Sequence, residues 1–73
     1  MDKLTAQKVV EILLESAGKI DGSTGLVQET CSDSEFREYR KACGAIMGMI
    51  YTDILRPIFS EYPDLEPEGI KRI

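Results

Sequence analysis

The sequence predicts an all-α fold: a helical hairpin in which a short first helix lies against a long second helix kinked at Pro57, two copies combining into a four-helix bundle. Three observations carry this expectation. From Phe36 onward apolar residues fall at Phe36, Tyr39, Cys43, Ile46, Met47, Ile50, Ile54, Leu55, Ile58 and Phe59, with the spacings of three and four that mark one side of an α-helix. A shorter stripe with the same spacing starts at Ala6. Between them lies a run rich in glycine, serine and aspartate, the residues that favour turns. The whole chain is expected to form one domain: a helix over about 4–20, a loop over 21–32, a helix over about 33–62 and a partly mobile tail over 63–73.

The first helix is expected to start near Leu4, with Thr5 as cap and Leu4 and Val9 packing across it. Its buried stripe would hold Ala6, Val9 or Val10, Leu13, Ala17 and Ile20, widened by Ile12 and Leu14. Lys8, Glu11, Glu15 and Lys19 make the opposite face, with Glu15 and Lys19 in the favourable order for an ion pair one turn apart. Glu11 and Glu15 do not form a metal site on this pattern, because the Glu-x-x-His partner of carboxylate-bridged bundles is missing.

Gly18, Asp21-Gly22, Ser23-Thr24 and Gly25 mark the expected end of that helix and a connecting loop, in which Leu26 and Val27 would cap the helical core. Asp21-Gly22-Ser23-Thr24-Gly25 begins like a calcium loop. The likeness fails at Leu26, where the loop glycine belongs, and at Ser32, where a bidentate glutamate belongs. No Gly-Lys-Ser/Thr follows the glycines, so a phosphate loop is excluded.

The second helix opens on Ser32-Asp33-Ser34-Glu35, the pattern of a capping box with acidic residues at the positive end of the helix dipole. Tyr62-Pro63 closes it, since a proline pushes the residue before it out of helical geometry. Inside it, Pro57 removes a hydrogen bond and presses on the carbonyl of Asp53. Gly44, Gly48 and Thr52 repeat every four residues, and each interior glycine costs about 1 kcal/mol relative to alanine. That strip, flanked by Met47, Tyr51 and Leu55, is a candidate seat for a closely approaching helix from the same chain or from a partner. The charges of Arg37, Glu38, Arg40, Lys41, Asp53 and Arg56 argue against a membrane-spanning segment.

Composition narrows the function. In 73 residues there is no histidine, which removes the commonest general base, zinc ligand and pH switch together. A net charge of −4 with scattered basic residues disfavours nucleic acid and anionic membrane surfaces, and permits a cationic partner. The N-terminal residues do not read as a targeting signal and the two cysteines read as free thiols, so a cytoplasmic setting is expected. Cys31, just before the helix cap, is the candidate reactive thiol, but nothing is at hand to activate it. Neither an enzyme, a metal nor a cofactor is therefore expected.

Two amphipathic helices of unequal length leave apolar surface over, and a second copy is the simplest cover. The expectation is a small acidic helical protein–protein interaction module acting as a homodimer, with another protein as a further partner. Its candidate interface is Gly44, Met47, Gly48, Tyr51, Thr52 and Leu55. The alternative is a carrier of a small apolar ligand, held near Pro57 by Met47, Met49, Tyr51 and Phe59.

Overall fold

The computed structural model describes residues 1–67, and these form a hairpin of two helical rods with no strand among them. The first rod is α1, Lys3–Thr30. The second is continuous in helical geometry but changes its winding: α2, Asp33–Met49, passes into a π-helical segment, Ile50–Leu55, and then into α3, Arg56–Glu61. A short 3₁₀ turn, Pro63–Leu65, follows. The all-α hairpin thus stands, but the helices are not unequal: α1 has 28 residues against 29 for Asp33–Glu61.

The start of α1 differs from expectation by one turn. Asp2, rather than Thr5, is the cap, and its carboxylate accepts the backbone N–H of Thr5 at 2.9 Å. The larger correction is at the other end. The loop expected over 21–32 is helix as far as Thr30, and the connection shrinks to Cys31 and Ser32, both extended. Glycine weakens a helix without forbidding it, and no proline interrupts this stretch. The hydroxyls that suggested a loop are satisfied within the helix. Ser23 donates to the carbonyl of Ile20 at 2.5 Å, Thr24 to Asp21 at 2.6 Å and Thr30 to Leu26 at 2.9 Å. Ile20 and Val27 carry the half-buried stripe past the glycines, whereas Leu26, expected to cap the core, is exposed.

The capping box at Ser32 is present in modified form. The Ser32 hydroxyl accepts the N–H of Glu35 at 3.2 Å and donates to the Glu35 carboxylate at 3.1 Å, so the glutamate holds the serine side chain rather than its backbone. Pro57 does not break the second rod. Just upstream the winding widens, with the Arg56 N–H donating to the carbonyl of Tyr51, five residues back. A π turn inserts one extra residue and so rotates everything after it relative to α2. That rotation brings Leu55, Ile58 and Phe59 onto the side facing α1, where they form the core with Ala6 and Val10.

Val9, Leu13, Leu14, Ile50, Tyr51, Tyr62 and Leu65 pack around that core. The pole is further tied by the Tyr62 hydroxyl, which donates to the Met1 carbonyl at 2.9 Å, and by the Lys3–Asp64 ion pair. Leu65 packs against this core and anchors the start of the tail. Of the partly mobile tail expected over 63–73, residues 68–73 lie outside the described residues. The predicted Glu15–Lys19 pair forms at 3.5 Å on the surface.

Candidate interaction surface

Between Lys41 and Asp53 the second rod carries no charged residue on any side. A helix of that composition is normally enclosed. Here α1 covers only one flank: Cys43 is buried, and Met47, Ile50 and Tyr51 are half-buried. Ala42, Gly44, Ala45, Ile46, Gly48, Met49 and Thr52 are exposed, Ile46 to 49% and Met49 to 61%. Asp33–Glu61 is also, among the described residues, the one helix long and apolar enough by length and composition to cross a membrane, with a mean hydropathy of 1.2 over its most apolar stretch. Only 22% of that stretch is buried, so most of this apolar surface has no cover within one chain.

The hairpin has two unlike faces. On one, the hydroxyls of Ser23 and Tyr39 meet at 2.8 Å and bridge α1 to α2. Helical spacing from that bridge places Ser16 and Ile12 on the same side of α1 and Ala42, Ile46 and Met49 on the same side of α2. Ile12 is 61% exposed, so the apolar surface spreads over both rods. The other face holds a shallow depression lined by Asp21, Thr24, Gln28, Phe36, Arg40, Cys43, Gly44 and Met47, where charge and glycine replace aliphatic side chains.

The residues expected to receive a partner do not share one environment. Gly44 and Gly48 face open space, with no atom within 4 Å of where a Cβ would stand, so α1 is not the helix that approaches them. Thr52 is exposed beside them, while Met47 and Tyr51 are half-buried. Leu55 leaves the set: it is fully buried in the chain's own core because the π turn rotates it inward. Sequence reasoning missed Ile46, Met49 and Ala45. The signal that could have found them is the uncharged run from Ala42 to Thr52, which makes a collar around the helix and not a single stripe.

The residues of the carrier reading are not gathered either. Tyr51 and Phe59 line a half-open depression of about 320 Å³ with Arg56, Ser60 and Glu66. Met47 lines the other depression, with Phe36 and Arg40, and Met49 is on the surface. Cys31 is exposed in the hairpin turn, Cys43 is buried, and both thiols are free. The Cys31 sulfur lies 3.6 Å from the Thr30 hydroxyl, which cannot serve as a general base. Among the described residues no three histidine, cysteine or carboxylate side chains come together as a metal site.

Compared with known proteins, the chain matches no family model, no curated protein and no solved structure.

Proposed function

We propose that the protein is a small acidic helical interaction module that acts as a homodimer in the cytoplasm, its second rods at the centre of a four-helix bundle. The observation that supports this reading is the uncharged collar from Ala42 to Thr52, which one chain leaves mostly in water. Enclosing an aliphatic side chain such as Ile46 or Met49 stabilises by roughly 1.5–3 kcal/mol. A second copy brings an identical collar, so one symmetric contact covers both. The net charge of −4 then resides on the outer surface, where it favours solubility and suits a basic protein partner better than nucleic acid.

Solution mass by light scattering across a wide concentration range tests the reading. The expected result is twice the 8.2 kDa chain mass. Met49→Lys, which puts a charge into the collar without touching the core, should return the protein to a monomer of unchanged helical content. A wild-type monomer at every concentration would remove the homodimer and leave the collar to a different protein.

A further inference from the structure

The collar has an internal symmetry, and this inference rests on the homodimer reading above. Lys41 and Asp53 stand six residues on either side of Met47 and carry opposite charges. Within the collar the same centre pairs unlike sizes: Met49 with Ala45, and Thr52 with Ala42. From these observations we infer that two second rods pack antiparallel about a two-fold axis at Met47. In that register Lys41 lies close to the level of Asp53 of the partner subunit.

The parallel arrangement is the natural competitor and fails on both counts. It would set Lys41 level with Lys41 of the partner subunit and Met49 level with Met49 of the partner subunit, joining like charges and stacking large side chains on each other. Antiparallel packing opposes charges and lets each large residue meet a small one, which the exposed glycines permit because nothing of the same chain occupies the space over Gly44 and Gly48. Lys41, Asp53 and the four collar residues named are exposed, so the chain's own fold does not consume them.

Disulfide trapping decides the orientation. Ala45→Cys and Met49→Cys are made separately in a chain carrying Cys31→Ser and Cys43→Ala, and each pool is oxidised alone and as an equimolar mixture. A disulfide needs its Cα atoms within about 7 Å. In the antiparallel register the two introduced thiols of an Ala45→Cys pair stand about 6 Å out of level, in addition to the gap between helices. The Ala45→Cys thiol of one chain and the Met49→Cys thiol of the other lie level. The expected result is a cross-linked dimer in the mixture alone. Cross-linking within a single pool means a parallel dimer and overturns the inference, as does a dimer that cross-links in neither case.

Should the cysteine background fold poorly, charge reversal in the native chain answers the same question. Lys41→Glu should weaken dimerisation about tenfold, as expected for two symmetric ion pairs turned repulsive, and adding Asp53→Lys should restore it. Unchanged affinity in the single variant, or no recovery in the double, overturns the register. A monomeric wild-type protein in the same light-scattering series instead removes the homodimer itself, so the two failures are told apart.

Discussion

At the pole where Met1 meets Tyr62, Ala6 and Val10 of α1 close against Leu55, Ile58 and Phe59; along the collar, Cys43 is enclosed while Ile46 and Met49 stand in water. Both regions are apolar in sequence, and they differ in what faces them. The pole is covered from several directions, by α1, by the π-rotated end of the second rod and by the turn at Leu65. The collar is covered from one. A small chain that concentrates its own core at one pole leaves the middle of its long helix largely in water.

The sharpest way to break this contrast is at the pole. Leu55→Ala removes a side chain with no solvent exposure and should cost about 2–5 kcal/mol, seen as a large fall in Tm at any protein concentration. If Leu55 belonged to a partner interface instead, the loss would vanish on dilution.

A smaller effect compares two glycines with equally open surroundings. No atom stands within 4 Å of a Cβ placed at Gly22 or at Gly48, so alanine at either position should stabilise the free helix by up to about 1 kcal/mol. Gly22→Ala should raise Tm at all concentrations. Gly48→Ala should raise it only in dilute samples and weaken dimerisation, because the added methyl fills the open space over Gly48 that a close helix contact needs. Equal behaviour of the two variants would place Gly48 outside the interface.

The smallest effects come from titration at the pole. Hydrogen bonds from Thr5, through its side chain first and its backbone second, hold the Asp2 carboxyl below its ordinary value. Its contribution is present above the ordinary aspartate range and fades as pH falls through the lowered value, and Asp2→Ala should abolish that acid-side loss in Tm. Desolvation, followed by the charge of Glu61, raises the Tyr62 hydroxyl above its ordinary 10.0. Stability from this group is present below that value and is lost as pH rises through the raised one, when the donor to the Met1 carbonyl ionises. Tyr62→Phe should remove the alkaline step.

How far the sequence could be read depended on whether a signal was local. The stripe from Phe36 and the Ser32–Glu35 cap were legible because both rest on spacing within one turn or two. The continuation of α1 through Gly18, Gly22 and Gly25 was not, since its support comes from packing along α2 and from hydroxyls that turn back onto their own helix. Pro57 signalled a local disturbance, but its form as a π turn depends on the core that Leu55 and Phe59 enter. Of the expected interface, Gly44, Gly48 and Thr52 are exposed, while Leu55 lies in the chain's own core.

The tight turn at Cys31 and Ser32 has a practical consequence for spectroscopy. Cys43 is buried and Cys31 is exposed, so a thiol-reactive dye has one ready attachment point per chain, at the pole opposite the junction of Met1 and Tyr62. The hairpin is 44 Å long. In an antiparallel pair the two dyes would sit at opposite ends of the particle, far enough apart for energy transfer between them to be weak with a short-range pair. A parallel pair would bring them side by side and quench the donor, so the native chain already carries its own ruler.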